Sequence, residues 1–578
     1  MIVLSALVAL ALAPARAAVK NPGTFTQLAI GDVLSLDPHW AAEAPGQRVI
    51  ANVYETLLTY KPGGARDSEL APLLSERVPT RANGLISADG TVYRFPIRAG
   101  VRFHDGSLMT PEDARYSILR YMLQDRAGGN ATAMLVPILG VASTREGGKP
   151  IPGLYARAAR AVTVEKDALV IRLRRPYAPF LAVMATRSFV VSRRWCASHG
   201  QWDGGETTWE RFNDPKSQDT LLQEDGTGPF LVERNDPATQ EVVLKRFDGY
   251  WRAPARLERV VIKNVPEFST RKLMLVNGDA DAIFTLPSQR SQLQGLPGVT
   301  ILDGYEPLVF GPFVLFNRRI DAAGNPFIGS GRLDGQGIPP DFFADPDVRR
   351  AFAASVDYAR YAAEVQGGHQ ASGFIPPGML GHDEDRPALR FDPAAEAESF
   401  KKAWGGRVWS AGFRFELPFH EGRDDFKALA QMIKSNIEAL NPKFRVDLRP
   451  MQSSTMNARL SGRQLPLYVT SWGLDYPDPD DVAFPLLHSK GNYPARMGYG
   501  DAGTDAAVEQ AAATIDPKSR AALYLKLQRA VLRDLPFIPT VEATRLRAQR
   551  SWTKGFVFRP SFPEMPQTPY FYDLWKAD

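Results

Sequence analysis

The sequence contains a single cysteine, Cys196, among 578 residues. One cysteine cannot form an intramolecular disulfide or a thiolate metal cluster, so neither can stabilise this chain. We expect Cys196, which follows Trp195, to be a small buried apolar residue. The end of the N-terminal apolar stretch has no cysteine that could carry a lipid, so we expect a soluble rather than an anchored mature protein.

Clustered basic residues and late apolar spans are also missing. Lys and Arg are scattered along the chain and the net charge is only +5, which argues against a nucleic-acid partner, since such proteins concentrate their basic residues. No segment after the N-terminus reaches the roughly 20 apolar residues of a membrane-spanning helix. The chain is too long for one hydrophobic core, so two or three domains are expected.

Residues 1–18 resemble a secretory signal peptide. An apolar run from Met1 to Ala13 is followed by Pro14 and by Ala15-Arg16-Ala17, an Ala-x-Ala cleavage pattern. No Lys or Arg precedes the run, which leaves open a start upstream of Met1. We predict export to the periplasm or another extracytoplasmic compartment after cleavage of this segment.

Motifs for catalysis and for cofactors are missing as well. The chain has no Gly-x-Ser-x-Gly elbow, no His-Glu-x-x-His pair and no complete phosphate-binding loop. The aspartates between Asp475 and Asp481 have the wrong spacing for a calcium loop. We therefore predict no enzyme activity, no cofactor and no metal, with a hydrolase kept as a remote alternative.

Strand-like and helix-like patterns alternate along the chain, which predicts an α/β architecture with mixed sheets. The strongest helix start is Thr110-Pro111-Glu112-Asp113, which combines a capping hydroxyl, a proline and first-turn acids. We predict further helices from about Ala44 to Leu58 and, as one long helix, from Asp345 to Val365.

The most informative stretch runs from Ser471 to Asp481, with the sequence Ser-Trp-Gly-Leu-Asp-Tyr-Pro-Asp-Pro-Asp-Asp. It follows an apolar, β-prone run, so a strand is predicted to end in a tight turn. The turn presents an aromatic face, a flexible glycine and a carboxylate together. That combination suits a ligand with a cationic end and an extended backbone.

Several separated motifs span nearly the whole mature chain. They are Ser35 to Pro38 with Asn52 to Leu57, Phe95 to Gly106 with Thr110 to Asp113, Gly226 to Phe230, Asp248 to Trp251, Phe316-Asn317, Val348 to Phe352 with Val356-Asp357, Trp472 to Ser489, and Asp516 to Pro539. In type and order these blocks resemble the family 5 extracellular solute-binding proteins of ABC importers, which include oligopeptide- and dipeptide-binding proteins.

The resemblance implies a periplasmic-binding-protein-like fold, in which two hinged α/β lobes enclose a ligand and an additional domain packs on the first lobe. The predicted segments are residues 1–18 for the signal peptide, 19–60, 161–285 and 501–578 for lobe I, 61–160 for the additional domain, and 286–500 for lobe II.

In peptide-binding members an aspartate pairs with the ligand's α-ammonium, and the aligned position here is Asp475. A buried ammonium needs a paired carboxylate, because an isolated buried charge costs several kcal/mol. The adjoining strand can pair with a peptide backbone, and Gly473 permits close approach. The predicted ligand-binding residues are Asp475, Trp472, Gly473, Leu474 and Tyr476, with His39 and Trp40 from the opposing lobe. For Trp472, His39 and Trp40, simple packing is an alternative.

The implied function is capture of a solute, most simply short peptides, and its delivery to an ABC transporter permease. The same fold also binds nickel complexes, opines, glutathione or oligosaccharides, and a ligand-sensing role uses the same closure. We expect a monomer whose partners are the solute and the membrane permease, with no nucleic acid.

Overall fold

The computed structural model describes residues 19–31, 33, 35–40, 44–62, 69–126, 131–214, 223–305, 309–365, 368–383, 389–559 and 569–577. The predicted signal peptide lies outside these residues. No helix among them is long and apolar enough to cross a membrane.

Among the described residues, the largest sheet is mixed and has seven strands. Its central strand, Thr24–Ala29, runs parallel to both of its neighbours, and the outer pairs are antiparallel. In spatial order the strands are Val299–Tyr305, Arg545–Arg550, Ala282–Ile283, Thr24–Ala29, Arg259–Asn264, Glu241–Arg246 and Phe230–Asp236. We call this the first sheet.

A second sheet is built around the strand Val309–Phe316. The strand Leu467–Gly473, which leads into the Ser471–Asp481 motif, lies at one edge of this sheet. The spatial order is His369–Gln370, Val541–Glu542, Val309–Phe316 and Leu467–Gly473, and Phe537–Pro539 also pairs with Val309–Phe316. A separate parallel pair, Phe413–His420 with Phe444–Met451, lies beside it. Phenylalanine rings fill much of the core between these strands and the helices around them.

A third, antiparallel sheet has three strands, Val92–Pro96, Ala168–Arg172 and Val162–Glu165. The remaining strands form two-stranded pairs: Leu58–Tyr60 with Leu70–Pro72, Arg145–Glu146 with Lys149–Pro150, and Thr553–Lys554 with Trp575–Lys576. One continuous apolar core joins the third sheet to the first. Together the sheets confirm the predicted α/β class.

Helices cover the faces and ends of the sheets. The α-helices are Ala44–Val53, Pro111–Gln124, Thr132–Leu139, Leu154–Ala161, Phe180–Arg187, Arg193–Ser198, Phe268–Asn277, Arg290–Leu293, Pro346–Ala354, Tyr358–Val365, Pro393–Lys402, Arg407–Ala411, Asp424–Leu440, Ser453–Ser461, Asp480–Leu487, Pro494–Met497, Ala502–Ala513 and Pro517–Asp534. Short 3₁₀ turns are Trp209–Phe212, Pro287–Gln289, Pro326–Ile328, Phe342–Ala344, Ala403–Gly406 and Phe571–Asp573.

The capped helix after Thr110 is confirmed. The Thr110 hydroxyl accepts a hydrogen bond from the Asp113 backbone N–H, and the Asp113 carboxylate accepts one from the Thr110 backbone N–H at 2.8 Å. This reciprocal pair satisfies two donors that a helix start otherwise leaves unpaired.

The prediction of one helix from Asp345 to Val365 was wrong, because the first helix ends at Ala354 and a second begins at Tyr358. The Asp357 carboxylate accepts from the Arg360 N–H at 3.0 Å and so starts a second helix at Tyr358. An aspartate competes well for the capping role, and here this local hydrogen bond replaces continuation of the first helix.

The helix predicted from Ala44 to Leu58 ends earlier, at Val53. The Val53 carbonyl accepts from the Gly228 N–H at 3.0 Å, and the Leu57 N–H donates to the Ser188 hydroxyl at 2.9 Å. Distant segments therefore supply the partners that a longer helix would have used. Residues 58–60 then form a strand instead.

Sheet membership favours domain boundaries later than those predicted. Val299–Tyr305 belongs to the first sheet and Phe537–Glu542 to the second. The helices of residues 502–534 pack in the core of the second sheet. We therefore propose that lobe II extends from about residue 309 to about 543. The strands Ala168–Arg172 and Val162–Glu165 pair with Val92–Pro96, which likewise favours an additional domain that continues past residue 160.

Candidate ligand-binding cleft

The turn of residues 474–481 follows the strand Leu467–Gly473, and we call it the motif turn. A cleft of about 510 Å³ separates the motif turn from the region of the third sheet. The side near the third sheet contributes Thr132, Ala133, Val136, Pro137, Arg175 and Tyr177. The second-sheet side contributes Trp472, Asp475, Tyr476, Asp480, Asp481, Phe484, Pro485, Lys490, Asn492, Arg496, Val508, Glu509 and Ala512. Both sides mix apolar surface with charged groups, as a binding site for a polar small molecule requires.

The turn at the end of strand Leu467–Gly473 is held by its own aspartates. The Asp481 carboxylate accepts hydrogen bonds from the backbone N–H groups of Asp475 and Tyr476. The Asp478 carboxylate accepts from the Asp480 N–H at 2.9 Å. Burial, and then the negative charge of Asp475, raise the pKa of Asp481 well above its ordinary value. The turn is therefore a rigid support for whatever Asp475 contacts.

A buried ion pair ties this turn to the helix that bears Arg520. The two guanidinium nitrogens Nη1 and Nη2 lie 2.8 Å and 2.6 Å from the Asp478 carboxylate oxygens, and Nε donates to the Ala511 carbonyl at 3.0 Å. Such a bidentate pair fixes geometry as well as charge. Asp478 thus has the turn-shaping role that its position between two prolines indicates.

Asp475, the predicted partner of a ligand ammonium, lies at the cleft and contacts Arg187. Arg187 Nη2 lies 2.6 Å from Asp475 Oδ1, with both side chains mostly buried. Burial lowers the pKa of Arg187, but the charges of Asp475, Tyr121 and Asp481, with the hydrogen bond to Asp475, together outweigh burial and raise the pKa. The pair connects the helix Phe180–Arg187 to the motif turn across the cleft region. Sequence reasoning missed Arg187 because 288 residues separate the partners and no local pattern marks it.

The aromatic residues of the motif occupy different places. Trp472 is half-buried, lines the cleft, and donates from Nε1 to the Asp481 carbonyl at 2.6 Å. Tyr476 also lines the cleft, but it is nearly buried, and its hydroxyl lies 3.1 Å from that of Tyr177. Both tyrosine hydroxyls donate to the Asp480 carboxylate, at 3.0 Å and 2.7 Å. These contacts again join the two sides of the cleft.

Gly473 and Leu474 do not line this cleft with side chains. Gly473 is exposed at the end of its strand, paired opposite Val309. The Leu474 side chain is fully buried in the core of the second sheet. Any ligand contact from these two residues would come from their backbone groups.

His39 and Trp40 also lie away from the cleft lining. The Arg120 guanidinium donates to His39 Nδ1 at 2.9 Å and His39 Nε2 lies 3.0 Å from the Phe189 carbonyl. Since arginine can only donate, Nδ1 accepts and the Nε2–H donates. Burial, and then the charge of Arg120, lower the pKa of His39 to about 4. This neutral imidazole is positioned as a packing residue, and the Arg126 guanidinium lies 5.9 Å from the Trp40 ring.

Comparison with known protein families identifies the family of this chain. The model of the bacterial extracellular solute-binding proteins, family 5, matches residues 69–494. The chain belongs to this family. The match spans the third sheet and the motif turn, so it includes lining residues from both sides of the cleft.

Known proteins of similar sequence or structure match this chain over nearly its full length. The di/tripeptide-binding protein 2 of Pseudomonas aeruginosa (strain UCBPP-PA14) is 24% identical over 523 residues, which cover 88% of this chain and 87% of that protein. The glutathione-binding protein GsiB of Salmonella typhimurium is 23% identical over 569 residues, covering 95% of each. The periplasmic binding protein DppA from Helicobacter pylori, solved with the peptide STSA, superposes with a TM-score of 0.72 at 19% identity, covering 96% of this chain and 98% of that one. This structural likeness confirms the two-lobe, periplasmic-binding-protein-like fold.

Proposed function

We propose that the protein captures short peptides in the cleft beside Asp475 and delivers them to the permease of an ABC transporter. It acts as an extracytoplasmic monomer after removal of residues 1–18, and it catalyses no reaction. The relatives named for di- and tripeptides and for glutathione support a peptide ligand. The observation that carries the proposal is a carboxylate, Asp475, held at the cleft by a rigid turn at the end of a sheet strand.

Peptide recognition follows from that position. The strand Leu467–Gly473 ends the second sheet in the described pairing, so a peptide can add to it through main-chain hydrogen bonds. Asp475 then meets the α-ammonium, the one cation that all unmodified peptides share. Trp472 and Tyr476 supply flat walls beside it, which suits side chains of any identity and, for the ammonium, adds a cation–π contribution of about 0.5–2 kcal/mol.

The contact with Arg187 makes the carboxylate a two-partner site. A ligand ammonium either shares Asp475 with the guanidinium or displaces it, because a carboxylate has about four acceptor positions. In both cases ligand contacts reach both sides of the cleft, and this favours the closed arrangement of the lobes.

We expect Asp475→Asn to weaken the binding of trialanine about 100-fold and that of N-acetyl-trialanine less than threefold. Removing one partner of a buried charge pair costs about 2–5 kcal/mol, and only the unmodified peptide carries the ammonium. Isothermal titration calorimetry of both peptides measures the difference.

Two further variants make this result specific. In Asp475→Asn/Arg187→Gln both charges are removed, so the variant leaves no unpaired arginine to disturb folding. Asp447→Asn, at an exposed pair with Arg414, is the matched control and should bind as the wild type does. Equal losses for the two peptides would contradict the role of Asp475. Wild-type protein that binds neither peptide, and that releases a single non-peptide mass in native mass spectrometry, would contradict peptide capture.

A further inference from the structure

A short segment after the strand Ala168–Arg172 bridges the cleft directly. Residues 175–178 lie on the side near the third sheet, and we call them the latch segment. They contact the second-sheet side at the motif turn, along the helix Ala502–Ala513 and at the C-terminal end of that helix. Each of these contacts joins one protein group to another, so its contribution to closure does not depend on a ligand.

The side chain of Tyr177 connects the latch segment to the motif turn. Its hydroxyl donates to the Asp480 carboxylate at 2.7 Å and lies 3.1 Å from the Tyr476 hydroxyl. Asp480 is 4% and Tyr476 5% exposed, so this hydrogen bond forms away from bulk water. Because a hydrogen bond is electrostatically stronger where water is excluded, Tyr177 is the main anchor of the latch segment.

The backbone of Ala178 caps a helix on the opposite side of the cleft. Its N–H donates to the Ala512 carbonyl at 2.8 Å, one residue before the end of the helix Ala502–Ala513. The last carbonyls of a helix have no partner within the helix. The latch segment therefore supplies a donor that this helix end lacks, and it does so through a backbone group whose position does not depend on a side-chain rotamer.

Two further contacts extend this interface toward solvent. Arg175 Nη1 lies 3.0 Å from the Glu509 carboxylate, and both side chains are about half exposed. Pro176 and Ile515, from opposite sides of the cleft, lie 3.9 Å and 3.8 Å from the position that a Cβ on Gly90 would take. Since an exposed ion pair contributes little by itself, we assign these contacts to the alignment of the two sides.

The latch segment differs from the other connection across the cleft. Arg187 also reaches the motif turn, but its partner is Asp475, the group that we propose meets the ligand. A ligand ammonium therefore competes with Arg187. The hydrogen bond between the backbone groups of Ala178 and Ala512 presents no charge for the ammonium to displace. Closure thus has one part that a ligand changes and another part that it leaves in place.

We propose that the latch segment is a ligand-independent closing device, which keeps part of the protein population closed before a ligand binds. The ligand then supplies only the remaining free energy of closure, and its apparent affinity scales with the closed fraction that the latch segment maintains. The inference goes beyond peptide capture, because it concerns the equilibrium between open and closed lobes for any ligand.

The test measures the distance between the two sides of the cleft by pulsed electron paramagnetic resonance. Spin labels are attached at Arg160→Cys, on the helix Leu154–Ala161, and at Lys518→Cys, on the helix Pro517–Asp534; both positions are exposed. The native Cys196 is buried and should stay unlabelled. Without added ligand we expect two distances in the labelled protein, and trialanine should increase the population of the shorter one.

Tyr177→Phe removes the anchoring hydroxyl, while the Tyr476 hydroxyl still donates to Asp480 at 3.0 Å. We expect the variant to lose the shorter-distance population about three- to tenfold and to lose affinity for trialanine by the same factor, as calorimetric titration measures. Arg175→Gln replaces an exposed side chain without risk to the fold, and it should lower both quantities about twofold at most.

Tyr155→Phe is the matched control. The Tyr155 hydroxyl donates to the Gly204 carbonyl at 3.0 Å, and its ring packs against the core that joins the third sheet to the first, so its loss should leave the distances unchanged. The thermal midpoints of Tyr155→Phe and Tyr177→Phe should agree within about 3 °C, which separates a shift in closure from a loss of folding.

Two results would overturn the latch: a single long distance in the labelled protein without ligand, or a Tyr177→Phe distribution equal to that of Tyr155→Phe. If trialanine neither binds in calorimetry nor changes any distance, peptide capture fails, and the distances measured without ligand still decide the latch.

Discussion

Asp478→Asn is expected to lower the free energy of unfolding of the second lobe by about 3–5 kcal/mol, because it leaves the Arg520 charge buried without its partner. The bidentate contact between Arg520 and Asp478 joins the motif turn to the helix Pro517–Asp534. Both side chains are largely shielded from water. Arginine cannot shed its proton to relieve the cost. In this multi-lobe protein the measurable quantity is a transition midpoint by calorimetry, which should fall by roughly 10 °C.

The reverse truncation, Arg520→Gln, should also destabilise the protein, because it leaves the Asp478 carboxylate buried without its cation. We expect its transition midpoint by calorimetry to fall about as far as that of Asp478→Asn.

A control is available on the same helix. Arg533 pairs with Asp534 at 3.0 Å, but both side chains are well exposed, so Arg533→Gln should change stability by less than about 1 kcal/mol. The double variant Asp478→Asn/Arg520→Met removes both buried charges and should recover most of the loss. Equal midpoints for Asp478→Asn and Arg533→Gln would show that the buried pair does not support the turn. We also expect Asp478→Asn to weaken trialanine binding, since the turn positions Asp475.

Local signals predicted much of the fold. The Thr110 cap, the alternating strand patterns and the strand Leu467–Gly473 each depend on a few neighbouring residues. These elements could therefore be predicted from the sequence. The predictions failed where another hydrogen bond replaced one that the continuing helix would have made. Asp357 starts its own helix, and Gly228 takes the Val53 carbonyl that a longer first helix would have used.

The candidate site was predictable only on one side. Trp472, Asp475 and Tyr476 lie in one short motif, and the structure places all three at the cleft. Their partners Arg187 and Tyr177 come from a segment about 300 residues earlier, and nothing near either residue marks it as a contact. Long-range contacts of this kind follow from how the sheets pack and not from local propensity.

A buried glutamate, Glu396, lies in the helix Pro393–Lys402. Its side chain is fully shielded from water, and neither carboxylate oxygen has a hydrogen-bond partner among the described residues. Burial alone raises the pKa of Glu396 to about 8. In the native state the carboxyl therefore holds its proton at pH values where the unfolded chain has lost it.

The sign of the effect follows from proton counting. Below a pH of about 4.5, both states are protonated and the stability of the wild type is at its maximum with respect to this group. Between that value and about 8 the native state binds more protons, so stability falls as the pH rises. Each pKa unit corresponds to about 1.4 kcal/mol, and the total loss is on the order of a few kcal/mol.

Glu396→Gln should remove this dependence, because the amide has a similar shape and does not ionise. We expect the variant to match the wild type near pH 5 and to melt several degrees higher near pH 8, as measured by calorimetry across that range. Glu398→Gln is the matched control: Glu398 is exposed on the same helix and pairs with Lys401, so its curve should run parallel to that of the wild type. If the curve of Glu396→Gln also runs parallel to the wild type, the Glu396 carboxyl ionises normally in the folded protein. That result would require a polar partner or a path for water into this part of the second lobe.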